Sequence, residues 1–316
     1  MFTTYFNETH EEARRNIRRF VERHVTPHIN EWEEAGTFPR EIYKLAGDAG
    51  ILGIGYPEEF GGNSEGDYFM SLVATEELLR AGSGGFFSSL MSHGIALPPI
   101  AKWASAEMKA RIVPEVLSGD KIIALAVTEP GGGSDVANLK TRAVDCGDHY
   151  KVSGSKTYIT SGIRADYYTV AVRTGGEGYG GISMLLIEKG TPGFSTGQPL
   201  KKMGWWCSDT AELFFDNVVV PKSNLIGIEN GGFMMIMTNF EAERLGLACY
   251  ANTLSELAFN EALNYAKNRS TFGKPLSKHQ VIRHKLADMA TQLEASREFT
   301  YRVAARMQAG KPALKE

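Results

Sequence analysis

The chain has 316 residues, 43% of them hydrophobic and 22% charged, with a formal net charge of -3, which is typical of a globular protein of two or three domains. This charge gives no reason to expect nucleic acid as a partner, and no apolar run is long enough to span a bilayer. Three cysteines without a Cys-x-x-Cys pair indicate neither a disulfide framework nor a metal site, so a reducing, cytoplasmic location is expected.

The first third of the chain is predicted to be helical. From about residue 11 to residue 118, apolar residues recur at helical spacing, and Pro27 is expected to bend or end the first helix. The first helix also carries a cluster of arginines that alternates with glutamates, a pattern that favours a solvent-exposed face with salt bridges along the helix. The clustered residues are Arg14, Arg15, Arg18, Arg19 and Arg23.

The middle of the chain is predicted to form strands. Between about residues 122 and 226, short β-rich runs are separated by Gly, Asp, Pro and Asn, which indicates a small antiparallel sheet or barrel. Helical spacing returns after Gly231-Gly232 and continues to the end, with a break at residues 269–275. The order of elements is therefore helices, strands, helices. The predicted strands are 122–127, 150–159, 167–173, 181–188 and 213–220.

A glycine-rich run, VTEPGGGSD at residues 127–135, has the composition of a ligand-binding loop. Three consecutive glycines allow a planar or phosphorylated ligand to approach the main chain, and Thr128, Ser134 and the bare amides could bind its polar edge. An ordinary solvated turn after a strand is the alternative. The pattern Gly-x-Gly-x-x-Gly before a helix is absent from this loop, so it is not a dinucleotide fingerprint.

The helix that begins near Gly232 carries a carboxylate within a predicted apolar face. Glu243 lies too far inside the helix to cap its N-terminus, and Glu241 is about 200° away around the helix. A buried ion pair, an exposed stripe and a catalytic carboxylate all remain open for Glu243, and burial would raise its pKa and make it a better proton acceptor near neutrality. The predicted face comprises Ile236, Phe240, Glu243, Leu247, Tyr250 and Leu254.

Five motifs in order give the chain a specific resemblance to the flavin-dependent acyl-CoA dehydrogenases along essentially its whole length. The resemblance implies an N-terminal helical domain at 1–121, a middle antiparallel, barrel-like β domain at 122–228 and a C-terminal helical bundle at 229–316. The motifs are YPEEFGG (56–62), VTEPGGGSD (127–135), GSKTYITSG (154–162), KMG (202–204) with SDT (208–210), and RSTFGK (269–274) with Gln280.

The resemblance also implies roles for individual residues. Glu243, immediately before Arg244, matches the position of the catalytic base in the isovaleryl and long-chain branches. Acyl-CoA is expected at Ser134, Met234, Glu241 and Arg244, and a homo-oligomer is implied because Arg269 and Gln280 correspond to residues that reach FAD across a subunit boundary. FAD is expected to bind Leu125, Val127, Thr128, Gly133, Ser134, Tyr158, Ile159, Thr160, Arg269, Phe272 and Gln280.

The function implied by the resemblance is FAD-dependent α,β-dehydrogenation of a saturated acyl-CoA, with an electron-transfer flavoprotein as the electron acceptor. Relatives continue beyond the position of Glu316 with further bundle helices and a Gly-rich segment. The C-terminal domain is therefore expected to be incomplete, with Ile282, Leu286, Met289 and Leu293 lacking packing partners and FAD binding weakened. A non-catalytic acyl-CoA-binding or flavin-binding remnant or interaction subunit is the alternative function, and an oxidase on the same scaffold is a third.

Overall fold

The computed structural model describes residues 5–316 and divides into two compact units. The first unit contains the chain up to Thr26 together with Gly66–Gly82 and Glu243–Glu316. The second contains Pro27–Glu65 and Ser83–Ala242. No helix within residues 5–316 is both long and apolar enough to cross a membrane.

Helices occupy both ends of the described chain, as predicted. The first helix begins after Asn7, whose side chain accepts a hydrogen bond from the His10 amide as an N-cap, and it ends before Pro27. The α-helices are α1 Glu8–His24, α2 Ile29–Ala35, α3 Glu41–Asp48, α4 Tyr68–Leu78, α5 Gly84–Leu90, α6 His93–Ala96, α7 Pro98–Trp103, α8 Ala106–Leu117, α9 Gly232–Asn268 and α10 Gln280–Gln308.

Strands occupy the middle of the chain, and all five predicted strands are present. The sequence did not predict β2, β6 or β8, which have two to four residues and, unlike the equally short β1, do not lie within a longer β-rich run. The strands are β1 Ile123–Ala126, β2 Arg142–Asp145, β3 His149–Thr160, β4 Tyr167–Arg173, β5 Ile182–Glu188, β6 Phe194–Thr196, β7 Thr210–Pro221, β8 Leu225–Ile226, β9 Ser270–Thr271 and β10 Lys274–Pro275.

The main sheet has the strand order β6-β7-β3-β2-β4-β5-β8, and β1 pairs with β4. Most neighbours are antiparallel, as expected, but β1 and β2 both run parallel to β4. Parallel neighbouring strands need a long connection. The chain between β1 and β4, which contains the loop, β2 and β3, provides it. Periodicity shows where strands lie but not which strands pair.

Each unit has its own apolar core. In the second unit, α7 and α8 pack with one face of the sheet through residues such as Ile100, Ile112, Ala171 and Met184. In the first unit, α4, α9 and α10 share a smaller cluster, and α1 packs against α4. That cluster contains Phe69, Leu72, Leu245, Cys249, Tyr301 and Ala304.

The interpretation of the α1 arginines as a purely solvent-exposed face is wrong for two of them. Arg14 pairs with Glu11 along the helix, but it also donates to Glu76 at 2.6 Å and to Glu77 at 3.1 Å on α4. Arg18 donates to both carboxylate oxygens of Glu77 at 2.8 and 2.9 Å. Because Glu77 is fully buried, these arginines join two helices, a pairing that spacing along one helix does not reveal.

Candidate functional site

The glycine-rich run forms a tight turn directly after β1. The amide of Glu129 donates to the carbonyl of Gly132 at 3.1 Å, and the amide of Gly132 donates back at 3.0 Å. Residues 130–135 are exposed, and a Cβ added at Gly131 or Gly132 would meet no heavy atom within 4 Å. The turn therefore presents bare main chain to its surroundings.

The end of β3 presents an aromatic side chain from an unusual backbone conformation. Tyr158 has φ of 57° and lies in a register shift of the β3–β7 ladder between Lys156 and Ile159. A bulky residue with positive φ is a genuine outlier and marks a β-bulge that redirects the strand. As a result the ring of Tyr158 is 70% exposed, whereas Ile159 is buried and Thr160 is half-buried.

A hydrogen bond connects these two segments. The amide of Thr157 donates to the carbonyl of Thr128 at 2.9 Å, so the glycine-rich turn and the end of β3 form one surface in the second unit. Leu125 and Thr128 are half-buried, and Gly133 and Ser134 are exposed. Val127 and Ile159 are buried, so only their main-chain groups could contact a ligand.

A buried ion pair lies under this surface, and the sequence did not predict it. The ammonium of Lys156 donates to a carboxylate oxygen of Glu129 at 2.9 Å. Burial lowers the pKa of Lys156 to about 8, against the opposing effect of Glu129. Burial alone would raise the pKa of Glu129, but the charge of Lys156 and hydrogen bonds outweigh it and hold that pKa below its ordinary value.

The sequence contained one signal for this pair. Glu129 lies within the motif at 127–135, which marks the candidate loop, and Lys156 lies within the motif at 154–162, which marks the candidate strand. A charged residue on the buried side of a strand needs a partner. The sequence does not say which carboxylate provides it.

Glu243 is half-buried on α9, in the first unit, with Arg244 exposed beside it. The prediction of one continuous apolar stripe along α9 is wrong, because Leu247 is 58% exposed. Each unit takes a different set of α9 residues into its own core, Met235 and Ile236 in one and Leu245 and Cys249 in the other. A single periodic pattern does not describe a helix that serves two cores.

The break between α9 and α10 is a small hairpin rather than an irregular loop. Strands β9 and β10 pair around Phe272 and Gly273, whose φ values of 51° and 76° match a tight hairpin turn with two left-handed residues. Phe272 is 96% exposed, and Arg269 and Gln280 are also exposed. All three lie in the first unit.

Three family models match the chain in sequence order. They are the N-terminal domain of acyl-CoA dehydrogenase at residues 7–120, the middle domain at 124–218 and the C-terminal domain at 230–316. The chain belongs to the acyl-CoA dehydrogenase family. This confirms the resemblance and the predicted helical, β and helical architecture, whereas the domain boundaries at 121/122 and 228/229 stay a prediction.

Individual acyl-CoA dehydrogenases support the assignment. The long-chain specific enzyme of Sus scrofa mitochondria is 39% identical over 93% of this chain and 69% of its own length. A probable acyl-CoA dehydrogenase from Mycobacterium abscessus is 50% identical with a TM-score of 0.95, covering 98% of this chain and 82% of that one. A glutaryl-CoA dehydrogenase from Mycobacterium smegmatis, described in complex with FADH2, is 28% identical with a TM-score of 0.90, covering 98% and 78%.

The donor set of the second unit suits the flavin that acyl-CoA dehydrogenases use. A flavin has a flat ring with a polar edge, which requires open main chain, hydroxyl or amide donors and an aromatic or apolar wall. The open glycines, the hydroxyls of Thr128, Ser134 and Thr160 and the exposed ring of Tyr158 provide these features. Of the residues expected at acyl-CoA, Met234 is 66% exposed, and Glu241 and Arg244 are exposed as well.

Proposed function

We propose that this acyl-CoA dehydrogenase binds FAD and converts a saturated acyl-CoA thioester into the trans-2-enoyl-CoA. The observation that carries the proposal is the single surface formed by the glycine-rich turn and the bulged end of β3, joined by the hydrogen bond from Thr157 to Thr128. Open main chain, hydroxyl groups and an exposed aromatic ring on one surface suit a flavin better than a phosphate cradle.

We propose that FAD is held by main-chain groups at Leu125, Val127 and Ile159 and by Thr128, Gly133, Ser134, Tyr158 and Thr160. The exposed side chains of Arg269, Phe272 and Gln280 support a contact with FAD on a second subunit, where a guanidinium suits a pyrophosphate. The protein is therefore proposed to be a homo-oligomer. Acyl-CoA is proposed to bind Ser134, Met234, Glu241 and Arg244.

Glu243 is the proposed base for the reaction. Its carboxylate takes the α-proton of the thioester, whose acidity rises when hydrogen bonds to the thioester carbonyl stabilise the developing enolate. Bound FAD supplies the acceptor for the β-hydrogen, which leaves with its electron pair. The substrate thus loses one proton to Glu243 and one hydride, and the new double bond forms between the α and β carbons.

An absorbance spectrum of the purified protein tests the proposal directly. A yellow protein whose visible band bleaches under anaerobic conditions on addition of acyl-CoA supports it, and reoxidation by an electron-transfer flavoprotein would identify the proposed acceptor. A colourless protein that takes up no FAD would contradict it and favour a non-catalytic remnant. Stoichiometric peroxide in air would instead identify an oxidase.

Two glycines give a matched test of the loop, Gly133 within it and Gly176 outside it. A Cβ at Gly133 would lie 3.2 Å from Cγ2 of Thr128 and would push that side chain, whereas a Cβ at Gly176 meets no heavy atom within 4 Å. Gly133→Ala is expected to weaken FAD binding about fivefold, the equivalent of about 1 kcal/mol of overpacking, and Gly176→Ala is expected to change it by less than about twofold. Titration of the apoprotein with FAD, followed by flavin fluorescence, measures both; equal effects would show that Thr128 does not contact the flavin.

The cytoplasmic location stays a prediction from cysteine content and sequence alone.

A further inference from the structure

The buried ion pair under the proposed flavin surface makes more contacts than two opposite charges require. The ammonium of Lys156, in addition to its bond to Glu129, donates to the carbonyl of Val127 at 3.0 Å. Val127 and Glu129 flank Thr128, so this one cation binds the main-chain carbonyl before, and the side chain after, a residue proposed to bind FAD. Lys156 also lies in the strand segment immediately before the bulge at Tyr158.

The carboxylate of Glu129 joins the two ends of the glycine-rich loop. One of its oxygens accepts a hydrogen bond from the amide of Lys140 at 2.6 Å, and the other accepts one from the amide of Thr141 at 2.8 Å. Thr141 in turn donates from its hydroxyl to the carbonyl of Ser155 on β3 at 3.1 Å. The loop between Glu129 and Lys140 is thus closed at its base by one side chain.

We propose that Glu129 and Lys156 form a positioning pair that fixes the glycine-rich loop and the bulged end of β3 in the arrangement that FAD requires. This inference rests on the proposed function. Neither residue is assigned a contact with the flavin; both act through Thr128 and Tyr158.

The turn hydrogen bonds between Glu129 and Gly132 and the bonds from Arg173 to the carbonyls of Ala137 and Leu139 order parts of the loop, and the buried pair adds contacts from the base of the loop to β3. Residues 130–135 are exposed and contain three glycines, which lose more conformational freedom on ordering than any other residue. Removing two charges from water is costly, and a well-packed apolar pair is often equally stable, so stability alone does not explain a buried Lys–Glu pair. Fixing the two residues on either side of Thr128, Val127 through its carbonyl and Glu129 through its side chain, does explain it.

Three variants separate positioning from stability. Glu129→Gln and Lys156→Met each leave one buried charge without its partner, whereas the double variant removes both charges and is expected to unfold at a higher temperature than either single variant. Val218→Ala is the control, because Val218 is a fully buried residue of β7 that pairs with Val152 on β3 and lies outside the loop. The measurements are the thermal unfolding of each apoprotein, its dissociation constant for FAD from flavin fluorescence, and the visible spectrum of the bound flavin.

If the pair positions the loop, FAD binding and thermal stability should respond differently to the variants. All three variants, including the double variant, are expected to bind FAD about tenfold or more weakly with an altered visible spectrum, as follows from the loss of hydrogen bonds to charged groups. Val218→Ala is expected to lower the unfolding temperature without either change. The proposal is overturned if the double variant binds FAD like the wild type, or if the control loses affinity in step with its stability. A wild-type protein that binds no FAD would instead overturn the proposed function on which this inference rests.

Discussion

Replacing Glu243 with Gln is expected to slow substrate-dependent flavin reduction by about a thousandfold, the range typical of the loss of a general base. Gln has nearly the shape of Glu, but its amide cannot take the α-proton. Because no interaction with FAD is proposed for Glu243, the affinity for FAD is expected to stay unchanged. The rate is measured by stopped-flow bleaching of the flavin under anaerobic conditions with saturating acyl-CoA.

Glu261→Gln provides the matched control for this experiment. Glu261 is an exposed carboxylate on the same helix, α9, and has no proposed role in binding or catalysis. Its replacement is expected to leave the bleaching rate within about twofold, because Glu261 has no proposed contact with FAD or acyl-CoA and exposed substitutions of this kind hardly change stability. If the flavin of Glu243→Gln bleached at the wild-type rate, the assignment of Glu243 as the base would be refuted. The proposal that the protein binds FAD would not be affected by that result.

Replacing Glu77 with Gln is expected to lower the free energy of unfolding of the first unit by about 3 kcal/mol. The carboxylate of Glu77 is fully buried and receives Arg18, Arg14 and Arg80, the last at 2.8 Å. Gln removes the counter-charge that these three cations share, and Arg14 keeps a further carboxylate partner in Glu76 at 2.6 Å. The estimate lies at the low end for a broken buried pair, because Arg18 and Arg80 remain partly solvated and are compensated by water. Urea denaturation measures the change.

The lowered pKa of Glu77 also makes the free energy of unfolding depend on pH. Burial alone would raise the pKa of Glu77, but hydrogen bonds from Arg18 and the charges of Arg80 and Arg14 outweigh it, so this pKa lies below its ordinary value of 4.5. A carboxyl with a lowered pKa in the folded state stabilises the fold above pH 4.5, and this stabilisation is lost as the pH falls through the folded-state pKa. The difference in unfolding free energy between wild type and Glu77→Gln is therefore expected to shrink below pH 4.5.

Glu11→Gln is the control for Glu77. Glu11 also pairs with Arg14, at 3.5 Å, but its side chain is 45% exposed and lies on the same helix. Ion pairs with a solvated carboxylate within one helix contribute less than about 1 kcal/mol, so its replacement is expected to have little effect at any pH. Similar losses in the two variants would mean that burial of Glu77 adds nothing to the strength of its pairs.

Local signals in the sequence determined much of the architecture. Hydrophobic periodicity located the helical ends and five strands, because helices and strands repeat with different periods along the chain. Ordered motifs determined the family, and they named both segments of the proposed flavin surface. Phe272, Arg269 and Gln280 are exposed, and the contact with a second subunit that the resemblance implies for them stays a prediction.

The tertiary structure alone decided which distant residues meet. Glu77 takes two of its three arginines from α1, Lys156 takes its carboxylate from a loop that the sequence identified for its glycines and hydroxyls, and β1 and β2 run parallel to β4. The prediction of a continuous apolar stripe through Glu243 is wrong for the same reason, since the two units bury different positions of α9. Periodicity indicates which side of a helix or strand is apolar. Charge pairing and strand order instead depend on contacts between segments far apart in the chain, and those contacts exist only in the folded molecule.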